Sequence, residues 1–227
     1  MKTISELFNL FRQPLFFFHN QQGSAAKSVF DMEEEPLRSE LYSITQMGQY
    51  GKYLARTHVL SDKAGKDRLL ARLTDNESVI RKVYDILASA VRNENRITPA
   101  AEWLLDNFYL IEEQVQTAKN HLPEHYSSEL PRLANGPMAG MPRVYALALE
   151  VVSHGDGHID ANSLSHFISS YQEESVLTLG ELWAIPIMLR LALIENLRRV
   201  SVRLALSRTH HELAEVWVQK FIDTAEN

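Results

Sequence analysis

Apolar residues recur at intervals of three and four along most of this chain, and this spacing constrains the fold more than any other feature. Leu69, Leu73, Ile80, Val83 and Leu87 trace one such stripe. Residues at these intervals lie on one face of an α-helix, and the strict two-residue alternation of a half-buried strand does not occur. The sequence therefore predicts an all-α protein, folded as a multi-helix bundle.

Capping residues mark where several helices should begin. Thr98 followed by Pro99 predicts a helix start, because threonine caps free amides and proline loses no hydrogen bond at the first helical position. Asp160 predicts a second start in the same way. The helix that begins at Thr98 is expected to turn these apolar residues toward the core: Trp103, Leu104, Phe108, Ile111, Val115 and Ala118.

The capping-box pattern of threonine followed three residues later by glutamate occurs at Thr74, Thr178 and Thr209, among other places. From Thr178 it predicts a long helix that contains Pro186 and should bend there. That helix is apolar nearly all round, so we expect it at the centre of the bundle. From Thr209 the pattern predicts a separate last helix. At Thr74 it leaves open whether residues 69–91 form one helix or two.

The chain divides into two expected regions. Residues 1–37 predict a leading amphipathic helix and a linker, and residues 38–227 predict the helical domain. A Pro- and Gly-rich connection around residues 122–142 interrupts that domain, and connections of this length often bind a neighbour. On the leading helix, Phe8, Phe11 and Phe18 are candidate docking residues for a protein partner, since the segment has too few basic residues for a typical lipid-surface helix.

Composition excludes several classes of function. The 227 residues carry a net charge of −6, which argues against nucleic-acid binding, because a phosphate lattice is normally met by clustered basic residues. No cysteine is present, so thiol catalysis and thiolate metal sites are excluded. The most apolar run, residues 182–189, is shorter than the roughly 20 residues of a transmembrane helix, and no span is expected.

One acidic, aromatic surface is a candidate for binding sugar or a partner. The spacing places Glu102, Asp106, Tyr109 and Glu113 on one helix face beside Trp103. Aromatic rings stack on sugars, and carboxylates bond hydroxyls and can act as acid and base in sugar chemistry. A solvated acidic face explains the same pattern more simply, and we favour it. No catalytic residue is assigned.

Two further groups of polar residues have competing interpretations. Arg190, Arg198 and Arg199 suit an anion or acidic partner, but ion pairs with neighbouring helices are commoner. Arg190 interrupts an apolar surface, so it must find a partner if it is buried. Five histidines invite a metal site, although His154 and His158 are separated by a turn. We favour solvated or capping histidines and expect no metal.

Three segments resemble the N-terminal region of bacterial cyclic β-1,2-glucan synthases. They are ITPAAEWLLDNF at residues 97–108, ELPRL at 129–133 with PRVYALA at 142–148, and LTLGELWAIPIMLR at 177–190. The resemblance runs in order from about residue 36 to residue 203. It implies a very large inner-membrane glycosyltransferase that builds and closes a β-1,2-glucan from UDP-glucose, with a phosphorylase-like C-terminal region.

The resemblance implies that the transferase chemistry and membrane spans lie downstream of residue 227. We therefore expect a non-catalytic domain without a cofactor of its own, on the cytoplasmic side of the inner membrane, packed against the transferase and membrane region of the same polypeptide. Two alternatives stay open. The acidic, aromatic surface suits a glucan-binding or glucan-processing domain with β-1,2-glucan as its partner, and the Phe-rich arm suits a stand-alone interaction module.

Overall fold

The computed structural model describes residues 34–37, 39–61, 68–122 and 126–225, with the backbone alone described at 209–216 and 219–225. Seven helices lie in these ranges: α1 (Ile44–Thr57), α2 (Leu69–Arg92), α3 (Pro99–Asp106), α4 (Phe108–Asn120), α5 (Arg143–His154), α6 (Ala161–Gln172) and α7 (Leu179–Ala225). Strands β1 (Leu60–Ser61) and β2 (Arg132–Leu133) pair antiparallel. The all-α prediction is confirmed.

The helix starts predicted from capping residues at Thr98, Asp160 and Thr178 are confirmed. Thr98 and Asp160 each accept a hydrogen bond from the backbone amide three residues later, at 3.3 and 2.9 Å. Thr178 accepts from the amide of Glu181 at 3.2 Å, and the Glu181 carboxylate accepts in return from the amide of Thr178 at 2.8 Å. Reciprocal bonds of this kind satisfy amides that have no partner within the helix.

The helix division predicted at Thr209 is wrong, and the division that the sequence left open at Thr74 does not occur. α7 remains helical through residue 209, so no separate helix begins at Thr209. The possible division at Thr74 is also absent, because α2 is one helix and the Thr74 hydroxyl donates to the carbonyl of Leu70 at 3.0 Å. A capping box stabilises free amides, and inside a continuous helix these amides already bond to carbonyls four residues earlier.

The helix expected from Thr98 to Ala118 is instead two helices. α3 ends at Asp106, Asn107 forms a turn, and α4 begins at Phe108. The side-chain amide of Asn107 donates to the carbonyl of Trp103 at 2.9 Å, a local bond that competes with helix continuation. Trp103, which was expected in the core, is 56% exposed.

The core has two parts that share α5. The larger part packs α2, α3, α4 and α5 against α7, and the smaller packs α1 against α6 and the other side of α5. Every residue of α5 except Glu150 is buried. Close approach of α1 to α6 requires Gly51, where an added Cβ would lie 2.9 Å from the carbonyl oxygen of Phe167.

The connection around residues 122–142 is organised by one buried arginine. Arg132 donates from Nη1 to the carbonyl of Gly140 at 2.7 Å and from Nη2 to the carbonyl of Ser127 at 2.8 Å. Gly140 has φ +82°, a conformation that favours glycine. The strand pairing between this connection and the residues after α1 was not predicted, because two-residue strands leave no periodicity.

No helix in the described ranges combines the length and the hydropathy that a bilayer crossing requires. The predicted leading helix, with Phe8, Phe11 and Phe18, lies outside the described residues. Residues 34–37, at the end of the predicted linker, are not helical.

Candidate functional site

A buried carboxylate, Glu195, lies where α7 crosses α2. It is fully buried and accepts hydrogen bonds from Arg72 on α2, from Nη2 at 2.6 Å and from Nε at 3.0 Å. Asn76, one turn further along α2, donates to the same carboxylate at 2.9 Å. The two-point contact with a planar guanidinium fixes both the distance and the rotation of α2 on α7.

Two arginines of the next turn of α7 complete this group. Arg199 Nε lies 3.0 Å and Arg198 Nη2 lies 3.3 Å from Glu195 Oε1. Glu34, which precedes α1, lies 2.9 Å from a terminal nitrogen of each arginine. We call Arg72, Glu195, Arg198, Arg199 and Glu34 the arginine cluster. Its three positive and two negative charges tie the chain before α1 to the middle of α7.

Electrostatics keep the Glu195 carboxylate ionised. Burial alone raises the pKa of a carboxyl group, but the hydrogen bonds and charge of Arg72, together with Asn76 and Arg198, outweigh burial and lower the pKa of Glu195 to about 2. Burial and the negative charge of Glu195 also raise the pKa of nearby Tyr145 to about 12. The Glu195 carboxylate is therefore charged throughout the physiological pH range.

A second buried ion pair joins the start of α5 to the start of α7. Arg143 donates from Nε and Nη2 to the two oxygens of Glu181, at 2.8 and 2.6 Å, and both side chains are essentially inaccessible to solvent. Arg143 also bonds Ser175 Oγ at 2.9 Å and the carbonyl of Val176 at 3.1 Å. The carboxylate that caps α7 therefore also anchors α5.

The Arg143 pair extends to α1 through an aromatic side chain. The Arg143 guanidinium lies 5.7 Å from the ring centre of Tyr171, whose hydroxyl is 3.1 Å from His58 Nδ1. Burial and the charge of Arg143 lower the pKa of His58, so its imidazole is neutral at pH 7. This network links α1, α5, α6 and α7.

The predicted arginines have different positions. Arg198 and Arg199 form ion pairs, but with Glu195 of their own helix and with the non-helical Glu34, and not with a neighbouring helix as expected. Arg190 is only half-buried, and no described carboxylate lies within 4 Å of it. The members of the two ion-pair groups that sequence reasoning missed include Arg72, which is partly exposed, and the buried Arg143 and Glu195. Each of the three interrupts an apolar run, and the same criterion selected Arg190. This criterion does not say which side of a helix faces inward.

The predicted acidic, aromatic surface is exposed but is not one helix face. Glu102, Trp103 and Asp106 are exposed on α3, and Tyr109 and Glu113 are exposed on α4. The turn at Asn107 lies between the two groups, so the single-helix spacing that united them is wrong. Tyr109 is 65% exposed, and both aromatic rings are open to a planar ligand.

The described histidines lie in different environments. His154 is buried, with its ring stacked on Tyr42 at 3.9 Å and its Nδ1 donating to the carbonyl of Glu40 at 2.7 Å. His158 and His166 are exposed. Among the side chains that the structure describes, no three histidine or carboxylate residues are grouped as a metal site. The side chains of His210 and His211 lie outside the described part.

The solvent side of α7 is apolar over more than five turns. Its residues follow steps of four and three, which keep them on one side of a helix. Trp183 is 74% and Leu179 is 62% exposed, and smaller exposed fractions follow toward Val200. We call this surface the α7 outer face. It consists of Leu179, Trp183, Pro186, Arg190, Leu193, Leu197 and Val200.

The α7 outer face corrects the prediction that this helix lies at the bundle centre. Only one side of α7 packs against α2 and α5, where residues such as Met188 and Ala192 are fully buried. α7 is therefore apolar also on a side that the described residues do not bury.

A cavity of about 460 Å³ lies between the end of α2, the start of α3 and the middle of α7. Its volume is within the range of small-molecule sites. The floor is apolar, and Arg96 and Arg208 stand among the polar lining residues. The lining residues are Leu87, Arg96, Ile97, Thr98, Ala101, Leu204, Ser207 and Arg208.

Comparison with known proteins finds a partial match between this chain and a glucan synthase. The cyclic beta-(1,2)-glucan synthase NdvB of Rhizobium meliloti (strain 1021) is 41% identical to it over 138 residues. The chain is homologous to part of NdvB. The match covers 61% of this chain but only 5% of NdvB, so the chain corresponds to a small part of that protein. No protein-family model matches the chain.

Proposed function

We propose that this chain is a non-catalytic helical domain of a bacterial cyclic β-1,2-glucan synthase. The observation that carries the proposal is the 41% identity with NdvB over 138 residues. In this role the domain lies at the N-terminal, cytoplasmic side of an inner-membrane transferase that uses UDP-glucose, and it supports or regulates that transferase through direct packing.

The buried ion pairs favour a scaffold role. Glu195 and Glu181 each hold an arginine from another helix by two hydrogen bonds, and breaking one partner of such a pair is strongly destabilising. A domain held in one geometry by paired buried charges can transmit a fixed position to a neighbouring domain. The apolar α7 outer face supplies a surface of the kind that protein interfaces use.

The proposal is tested by glucan synthesis in bacterial membranes. A strain that lacks the coding sequence of this chain should lose incorporation of glucose from UDP-glucose into β-1,2-glucan, and the intact chain should restore it. Glu195→Gln, which disturbs the fold, should restore synthesis poorly, whereas Glu113→Gln on the exposed surface of α4 should restore it fully.

Two results would refute the scaffold role. Unchanged glucan synthesis in the deletion strain would separate the chain from this pathway. Glucose transfer or glucan cleavage by the purified chain would show that it carries its own active site.

A second candidate function is glucan binding by the exposed aromatic surface. Trp103 and Tyr109 present open rings on adjacent helices, and Glu102, Asp106 and Glu113 are exposed on the same two helices. Aromatic planes stack on sugar rings, and carboxylates accept bonds from hydroxyl groups, so this surface has the chemistry of a carbohydrate contact.

Titration with β-1,2-glucan distinguishes the two candidates. If the surface binds glucan, the fluorescence of Trp103 should respond at millimolar sugar, and Trp103→Phe should remove the response while Trp183→Phe keeps it. No response in the intact chain would eliminate glucan binding and leave the scaffold role unaffected.

A further inference from the structure

The α7 outer face needs a cover of matching spacing. Its seven positions, from Leu179 to Val200, advance by four and three in turn. Apolar residues at alternating steps of four and three form a stripe along one side of a helix. Two such stripes can pack along each other. At 1.5 Å per helical residue, the face is about 32 Å long.

Residues 1–20 of the same chain contain such a stripe. Ile4, Phe8, Phe11, Leu15 and Phe18 advance by the same steps of four and three. Three of these five residues are phenylalanine, which buries a large apolar area for each contact.

The point of attachment places residues 1–20 within reach of the face. Glu34 lies 2.9 Å from Arg198 and from Arg199, and the backbone amide of Leu37 donates to Asn196 at 2.9 Å. The chain before α1 is therefore fixed to α7 itself. Residues 21–33 span at most about 45 Å, which exceeds the length of the face. Such a tether raises the local concentration of the segment to the millimolar range.

Charge also favours this segment over a second copy of α7. Arg190 lies at the middle of the outer face, and no carboxylate in the described part of the chain lies within 4 Å of it. Symmetric pairing of two outer faces, parallel or antiparallel, would bring Arg190 against its own copy, and like charges across an interface are unfavourable. Residues 1–20 carry Lys2, Arg12 and one carboxylate, Glu6, which lies between Ile4 and Phe8 and can pair with Arg190, whereas a second copy of the outer face offers Arg190 no carboxylate.

From these observations we infer that residues 1–20 bind the α7 outer face of their own chain. The Phe-rich arm, residues 1–20, is then an internal cover of this face. Pro14 would disturb a continuous helix. We therefore propose where these side chains bind and propose no backbone conformation for residues 1–20. The inference is independent of the proposed role in glucan synthesis.

Disulfide trapping tests the contact directly, because the chain contains no cysteine. Phe11→Cys is combined in the full chain with Trp183→Cys, Leu193→Cys or Val200→Cys. A disulfide requires Cα atoms closer than about 7 Å, so at least one pair should oxidise readily within a single chain. The matched control is Phe11→Cys with Tyr53→Cys, at an exposed position of α1 close to the same tether.

The trapping experiment has three outcomes. Preferential disulfides between residue 11 and the outer face support the inference. Equal yield with Tyr53→Cys overturns it, since the arm would then contact the surface indiscriminately. Disulfide-linked dimers from Leu193→Cys alone also overturn it, because a second copy would then cover the face.

Quenching of Trp183 fluorescence gives a second test without cross-links. In a full chain with Trp103→Phe and Trp217→Phe, Trp183 is the single tryptophan. We expect Phe8→Ser with Phe11→Ser to raise the acrylamide quenching constant severalfold while the helix content by circular dichroism stays the same. An unchanged quenching constant would contradict the contact.

Discussion

The two sides of α7 depart from the usual distribution of polarity on a surface helix. The side packed against α2 and α5 includes buried Glu181, Glu195 and Arg198, whereas the solvent side exposes Leu179 and Trp183. A surface helix normally buries its apolar stripe and exposes its charges. The inner side is therefore specified partly by charge pairing, and the outer side has the composition of an interface.

Charge pairing on the inner side gives positional specificity that apolar packing alone does not. Glu195 must lie opposite Arg72, and Glu181 opposite Arg143, within hydrogen-bonding distance. A shift of α7 by one turn would leave buried charges unpaired, at a cost of several kcal/mol for each. Apolar contacts tolerate such shifts better, because they have no donor or acceptor to satisfy.

Removing the Glu195 charge should have the largest effect. Glu195→Gln leaves three arginines of the cluster with only Glu34 to balance them, and we expect the free energy of unfolding to fall by about 5 kcal/mol. Urea denaturation followed by circular dichroism measures the change. Glu113→Gln, at an exposed position, is the control and should change stability by less than about 0.5 kcal/mol. Equal effects in both variants would mean that the arginine cluster does not stabilise the fold.

Arg143→Met should have a smaller effect, about 4 kcal/mol. It leaves the buried Glu181 carboxylate without its guanidinium, but Thr178 still donates to that carboxylate from its amide and its hydroxyl. The same urea experiment measures the loss. Arg203→Met on exposed α7 surface is the matched control, and a loss as large in the control would argue against a special role for the pair.

Acid should weaken the inner side through Glu195. Its pKa in the folded chain is about 2, below the ordinary value of 4.5, so the unfolded chain binds the proton more readily. This contribution is complete above about pH 5 and is lost as pH falls toward 2, for a total on the order of 3 kcal/mol. Stability measured from pH 6 to 2 should fall less steeply in Glu195→Gln, since glutamine does not titrate. Parallel curves would contradict the lowered pKa.

Local signals in the sequence predicted the inner architecture only in part. Capping at Thr98, Asp160 and Thr178 was predictable, because a cap depends on residues within one turn. The partnership of Glu195 with Arg198 and Arg199 is also local, at steps of three and four.

Arg72 lies 123 residues before its partner Glu195, and no periodicity reports a contact at that separation. The same limit applies to Arg143 and Glu181, 38 residues apart. Asn107 misled the prediction differently, since one turn-forming side chain divided an otherwise continuous helical pattern. An apolar pattern indicates that a helix has packing partners. It does not indicate whether those partners lie within the described bundle, and for this reason the prediction placed α7 at the centre.

Trp183→Ser should have the smallest effect on stability. It tests the outer side of α7, whereas the preceding variants test the inner side. If the Phe-rich arm covers the outer face, this change should cost about 1 kcal/mol in the intact chain, because it removes a contact between arm and face. In a chain that already carries Phe8→Ser and Phe11→Ser, it should cost less than about 0.5 kcal/mol, since Trp183 then faces water. Tyr109→Ser should cost the same in both backgrounds. Equal cost of Trp183→Ser in both backgrounds would mean that arm and face are energetically independent, so that the apolar outer face would require a cover from outside residues 1–20.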